Sequence, residues 1–117
     1  MVFRICQNHT GSVLLYQVKG DDGCPLDVSA ASEVAFSLIK QDRQSTIAFK
    51  EVIAKLSDIP DYPPSEGWVI WEPQAAHTAE VEFYYGRFHI TENSRKHAFP
   101  DQPEKLEVYV EREGLTT

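Results

Sequence analysis

Positive charge is scarce in this chain, and that scarcity limits its partners. Eleven lysines and arginines stand against 18 aspartates and glutamates in 117 residues, which gives a net charge of −7 at pH 7 and a pI near 5.0. Nucleic acids and anionic membrane surfaces would repel a surface of this sign. We therefore expect no nucleic acid and no membrane among the partners, and we interpret the charge as an aid to solubility.

Residues that bind metals or perform covalent catalysis are also few. None of the four histidines stands at metal-ligand spacing from another: His9, His77, His89 and His97. The two cysteines form no Cys-x-x-Cys motif, and the Gly-x-Ser-x-Gly signature of a serine nucleophile does not occur. We predict no metal, no cofactor and no enzymatic activity.

Long apolar runs are missing too. No stretch is long enough to span a bilayer, and the first residues show no basic segment followed by an apolar one, so we expect no export by a signal peptide. In a reducing cytosol Cys6 and Cys24 would remain thiols. The sequence leaves open whether they pair, because a disulfide requires their Cα atoms to lie within about 6 Å.

What the sequence does contain is a series of short segments in which apolar and polar residues alternate with a period of two. The last of them, residues 106–110, is the clearest. A chain of 117 residues can bury one core between two sheets. We predict a single all-β domain over residues 1–117, an antiparallel β-sandwich of about seven to nine strands with at most one short helical turn, and a frayed tail at 112–117.

Two strands are predicted early in the chain. Residues 13–18 are apolar and β-branched, and they end at a Gly-Asp-Asp-Gly turn. A short extended piece at 26–28 follows. Residues 34–39 then carry mostly apolar side chains on both faces, so we predict that this second strand is largely buried.

The next segment supports two interpretations. Residues 46–54 are rich in strand-forming side chains, but their apolar phase slips, and a helical spacing fits as well: Phe49, Val52, Ile53 and Leu56. A β-bulge near Lys50 and Glu51 would restore the alternation. We favour the bulged strand and keep a short helix over residues 49–56 as the alternative.

A proline-rich surface loop at residues 58–67 separates the two halves of the domain. The strand after it is large and apolar on both faces, with Trp68 and Ile70 on one and Val69 and Trp71 on the other. One pair fills the core. The other pair meets either the proline-rich loop or another subunit.

The second half continues with a single helical turn at residues 73–79 and an aromatic strand at 81–90. Gly86 in that strand indicates a bulge or a close backbone approach. Residues 91–96 form a polar hairpin loop, and the chain turns again at 100–103. In the last strand three side chains are predicted to face the core: Leu106, Val108 and Val110.

Two residue groups have a structural and a functional interpretation. The acidic group favours a solvated face over an acid/base pair: Glu104, Glu107, Glu111 and Glu113. An aromatic group could build a sugar-stacking platform, but core and interface packing account better for the same strand positions: Trp68, Trp71, Tyr84, Tyr85 and Phe88.

Taken in order, seven segments resemble the N-terminal domain of phage baseplate upper proteins, an immunoglobulin-like β-sandwich of tailed phages and prophages. The segments are residues 25–28, 34–38, 47–50, 67–71, 86–90, 98–100 and 106–110. They match a pattern of strands and turns over residues 25–111 rather than an invariant motif. The chain departs from the family at Asn93 and Ser94, where an aspartate-glycine hairpin is usual.

The resemblance implies a virion structural protein, an assembly module of a tail, baseplate or neck, made in the bacterial host cytoplasm. It would act through contacts with other virion proteins and as a homo-oligomer. The hypothetical interface comprises Val69, Trp71, Tyr84 and Tyr85. The alternative is a bacterial immunoglobulin-like module that binds a ligand or glycan. An enzyme ranks third, because it would need a deep pocket with a histidine beside a cysteine, serine or glutamate.

Overall fold

A computed structural model describes residues 2–8, 11–44, 46–101 and 105–112. Within these residues the chain forms nine strands and two 3₁₀ turns. The strands are β1 (Val2–Cys6), β2 (Leu14–Gln17), β3 (Glu33–Lys40), β4 (Ile47–Ile53), β5 (Lys55–Leu56), β6 (Trp68–Trp71), β7 (Glu82–Glu92), β8 (Arg95–Phe99) and β9 (Glu107–Glu111). The 3₁₀ turns span Pro64–Glu66 and Ala75–Thr78.

The strands form two sheets. One has six strands: five in the order β1-β9-β7-β3-β4, and β8, which pairs with the C-terminal end of β7. The other has three strands in the order β2-β6-β5. In an immunoglobulin domain of the variable type, strands C′, C, F and G share one sheet and B, E and D share the other. Here β4, β3, β7 and β9 correspond to C′, C, F and G, and β2, β6 and β5 correspond to B, E and D. The predicted immunoglobulin-like sandwich is confirmed.

Two details of that prediction are wrong. The sheets are not purely antiparallel, because β1 pairs with β9 in parallel, Val2 opposite Glu107. The described residues also contain two short helical turns instead of one, since the proline-rich loop forms a turn of its own at Pro64–Glu66. Strand β1 was not predicted, although Phe3 and Ile5 flank the polar Arg4 there.

The core lies between the sheets and is built on a column of aromatic rings. Phe36 of β3 stacks on Trp71 of β6 with 4.6 Å between the ring centroids, and Phe36 lies equally close to Phe88 of β7. Tyr16 of β2 stacks on Phe88 at 5.4 Å, so the column crosses between the sheets twice. Large rings in such contact contribute strongly to core stability. The Nε1 donor of Trp71 is buried without a hydrogen-bond partner among the described residues.

The segment that fitted both a strand and a helix forms strand β4. Along its pairing with β3, Phe36 is opposite Val52 while Leu38 is opposite Phe49, so β4 uses one residue more than its neighbour between these pairs. The extra residue falls at Lys50 and Glu51, where the bulge was predicted, and the strand interpretation is confirmed. A second irregularity follows at Ala48, between the pairs of Leu38 and Ile39.

The proline-rich loop covers the outer side of β6. The ring of Tyr62 contacts that of Trp68 edge-on, with 4.9 Å between the centroids. Gly67 closes the preceding turn at φ +90°, where a Cβ atom would lie 2.5 Å from the carbonyl oxygen of Val18. The sequence left open whether the outer side of this strand meets the proline-rich loop or another subunit. The structure shows contact with the loop.

The remaining elements follow the sequence closely. The turn Ala75–Thr78 lies within the helical turn predicted at 73–79. The hairpin loop is shorter than the predicted 91–96, because β7 extends to Glu92 and β8 begins at Arg95, leaving Asn93 and Ser94 as a two-residue turn. Val108 and Val110 of β9 and Leu106, which directly precedes that strand, are buried as predicted. Of the predicted tail at 112–117, Arg112 is exposed and outside any strand, and residues 113–117 lie outside the described residues.

Candidate interaction surface

The structure places the four predicted interface residues in unequal positions. Val69, Trp71 and Tyr84 are at most 2% exposed, and all three belong to the core between the sheets. Tyr84 and Tyr85 are neighbours in β7 and therefore point to opposite faces; only Tyr85 points away from the core, where it is half-buried. A partner cannot touch the first three in this fold, so Tyr85 alone is retained as an interface candidate.

The candidate surface is the side of the six-stranded sheet that faces away from the core, here called the outer face. Because Tyr84, Phe88 and Ile90 are buried in the core, the alternate residues of β7 lie on this side. By pairing and alternation the outer face comprises Val2, Arg4, Cys6, Glu33, Ala35, Ser37, Ile39, Ile47, Lys50, Ile53, Phe83, Tyr85, Arg87, His89, Thr91, Lys96, Ala98, Glu107, Tyr109 and Glu111.

Several apolar side chains on the outer face are open to solvent. Phe83 is 52% exposed, Ile47 58% and Ile53 91%. Single exposed apolar residues are ordinary, but several sharing one flat sheet face are typical of an interaction surface. Along β7, Phe83 and Tyr85 share a side with the polar residues Arg87 and His89, a sequence signal that could have identified this side as the one facing away from the core.

One end of the outer face is aromatic. The rings of Phe83 and Tyr109 contact each other with 4.8 Å between their centroids. The guanidinium of Arg4 lies 5.1 Å from the centre of the Tyr109 ring, within the range of a cation–π contact. Arg4 also forms an ion pair with Glu111. These contacts connect β1, β7 and β9 at the aromatic end of the face.

The middle of the outer face contains a small depression of about 200 Å³, lined by Ser37, Ile39, Ile47, Lys50, Arg87 and His89. The Oγ of Ser37 lies 2.8 Å from Nε2 of His89. Partial burial, aided by the charge of Arg87, holds the pKa of His89 below its usual range. Arg87 donates hydrogen bonds to the carbonyl oxygens of Pro100 and Asp101 and so anchors the connection that follows β8.

A serine beside a neutral histidine resembles part of a hydrolase site, but its surroundings favour a structural role. Ser37 is only 6% exposed, because it lies in the central strand β3 with neighbours on both sides. A nucleophile must reach a substrate held in a pocket, which for small molecules usually has a volume of about 300–1,000 Å³, and the depression here has only about 200 Å³. The hydrogen bond instead satisfies a buried hydroxyl, which would otherwise cost free energy.

A second groove, of about 480 Å³, lies where β4 and β5 pass from one sheet to the other. Ile53, Ile70 and His77 are among the residues that line it. Lys55 bridges its rim, with Nζ 2.9 Å from a carboxylate oxygen of Glu72. Nδ1 of His77 accepts a hydrogen bond from the backbone N–H of Gln74, and burial lowers the pKa of His77.

The other residues considered for chemistry are dispersed. Among the described residues no group of three or more His, Cys, Asp or Glu side chains could hold a metal ion. Cys6 and Cys24 are both free, the first half-buried and the second exposed. Glu107 and Glu111 lie on the outer face, whereas His9, Glu104 and Glu113 lie outside the described residues. In the part of the chain that is described, no helix is long and apolar enough to cross a bilayer.

Fold and surface together define an all-β sandwich with the strand order of a variable-type immunoglobulin domain and an apolar, partly aromatic outer sheet face. The chain matches no protein-family model, and no curated protein matches its sequence. The function is therefore inferred from this surface and from the strand pattern.

Proposed function

We propose that this protein is a structural assembly module that acts through protein–protein contacts made by its outer face. The observation that carries the proposal is the set of exposed apolar side chains on that face, Ile47, Ile53 and Phe83. Several exposed aromatic and aliphatic residues on one flat sheet face are characteristic of an interaction surface. Lys50, Glu107 and Arg4 supply charge among and beside them.

The particle we propose for this module is a phage or prophage virion, in a tail, baseplate or neck. The support is the resemblance to the phage baseplate upper protein N-terminal domain, whose segments at 34–38, 47–50, 67–71 and 106–110 lie largely on β3, β4, β6 and β9. A structural part of this kind needs no cofactor. Its synthesis would take place in the bacterial cytoplasm and its partners would be other virion proteins.

The test is incorporation of the chain into particles made by the bacterial strain that encodes it. We expect quantitative mass spectrometry of purified particles to find the chain at a fixed ratio to the other virion proteins. The variant Ile47→Asp/Phe83→Asp should remain folded, because both side chains are exposed, but should be lost from particles. Val13→Asp is the matched control, since Val13 is 41% exposed and lies outside the outer face.

Three results would contradict the proposal. The chain could be missing from purified particles, or the double variant could be incorporated as well as the control. A glycan screen supplies the third: binding of a free sugar that depends on Phe83 would assign the outer face to a ligand-binding module instead.

A further inference from the structure

The outer face has the size of an interface between two subunits. Strands lie about 4.8 Å apart and rise about 3.4 Å per residue, so five columns of strands and the 11 residues of β7 give at most about 24 Å by about 35 Å. The other strands are shorter than β7, so this rectangle of about 800 Å² is an upper limit, and it reaches the area that one partner contributes to a typical stable complex.

Charge favours a second copy of this chain at the outer face. The whole chain carries a net charge of −7, so two copies repel each other at most orientations. On the outer face, however, four cations accompany three anions: Arg4, Lys50, Arg87 and Lys96 with Glu33, Glu107 and Glu111. Two copies that meet through this face bring together their least acidic surfaces.

A row of side chains across the outer face could pack against the same row of a second chain. By register, Tyr85 of β7 is opposite Ile39 of β3, and Ile39 is opposite Ile47 of β4. In a twofold dimer each residue on the axis contacts the same residue of the partner. Apolar side chains tolerate that contact, whereas equal charges would repel.

The residues beside this row are complementary across it. On β7, Phe83 lies two residues to one side of Tyr85, and Arg87 lies two residues to the other side. A twofold axis along the row therefore places Phe83 of one copy over Arg87 of the other, a pairing of ring and cation. Glu107, opposite Tyr85 on β9, also lies on the row and meets its own copy, the one like-charge contact along the axis. Val2, opposite Glu107 on β1, ends the row.

We propose that the outer face binds a second copy of this chain, forming a twofold dimer whose axis runs along the row Tyr85, Ile39 and Ile47. This inference rests on the proposed function, because it uses the same face, and it adds the identity of the partner. Sheets packed face to face lie about 10 Å apart, so the exposed rings and isoleucines of the two copies would fill the space between them.

Light scattering across a concentration series tests the dimer. We expect a dimer for the wild-type chain, a rise in the dissociation constant of about 30-fold or more for Ile47→Asp, and no change for the control Val13→Asp. Thermal unfolding of each variant confirms that it is folded. The position of the axis is tested by charge reversal: Ile47→Asp and Ile47→Lys should each be monomeric alone and should form a dimer when mixed, because position 47 meets its own copy.

A wild-type chain that stays monomeric throughout the series would overturn the inference, as would a dimer that Ile47→Asp leaves intact. A mixture of the two charged variants that stays monomeric would exclude the axis along this row. The particle assay separates this inference from the proposed function. If the purified chain is monomeric but Ile47→Asp/Phe83→Asp is still lost from particles, the face binds a different virion protein; if neither assay responds to the face, both proposals are wrong.

Discussion

At position 86 the core leaves no space for a side chain. A Cβ atom on Gly86 would lie 2.5 Å from Cζ of Phe36, the ring at the centre of the aromatic column. The N–H of Gly86 meanwhile donates to the carbonyl oxygen of Leu106 at 2.8 Å. The sequence suggested a bulge or a close backbone approach here, and the structure shows that the close neighbour is the Phe36 ring.

Gly86→Ala should therefore destabilise the domain by about 1–3 kcal/mol, the usual effect of an extra methyl group in a filled core. Chemical denaturation measures the free energy of unfolding. In a Phe36→Leu background the shorter side chain vacates the space near position 86, so the same glycine substitution should cost less there. Equal costs in both backgrounds would mean that Phe36 is not what excludes the side chain.

Among the elements, the β7–β8 hairpin carries a local strain. Asn93 and Ser94 have φ values of +52° and +63°, as a two-residue hairpin turn of type I′ requires. Asparagine tolerates the left-handed region, whereas serine does so at a cost. Ser94→Gly should raise the free energy of unfolding by about 0.5–1 kcal/mol. Asn93→Gly is the matched control and should gain less; a larger gain at position 93 would contradict this assignment.

The edge strand β4 shows why the face, and not the edge, is the proposed contact surface. An open strand edge offers unpaired backbone groups to other chains. The two irregularities of β4, at Ala48 and at Lys50 and Glu51, interrupt the regular spacing that another strand would need. The exposed side chains of Ile47 and Ile53 remain available on the outer face.

At the scale of the whole molecule, two histidines make stability depend on pH. Partial burial lowers the pKa of His77, and burial together with Arg87 lowers that of His89, both from an ordinary value of 6.5. In the unfolded chain these groups take up a proton near pH 6.5, whereas in the folded chain they do so only at lower pH. The unfolded state then binds more protons, so stability falls as the pH drops through 6.5 and levels off below the folded pKa values.

We expect the melting temperature to fall between pH 7.5 and about pH 5.5, above the range in which exposed carboxyl groups titrate. The double variant His77→Gln/His89→Gln should show a flatter dependence, because glutamine carries no proton that responds in this range. Differential scanning calorimetry across that interval measures the effect. An equally steep dependence in the double variant would assign it to other groups.

The sequence by itself determined the class of fold and most of its strands, because alternation with a period of two reports local strand structure and one buried face. It located the β4 bulge from a slip in apolar phase at Lys50 and Glu51. Which face of each strand lies inward was decided only by tertiary structure wherever both faces are apolar, as at Val69 and Trp71. Those side chains became core, and the outer face assembled from β1, β3, β4, β7 and β9, because strands distant in sequence become neighbours only when the sheet pairs them.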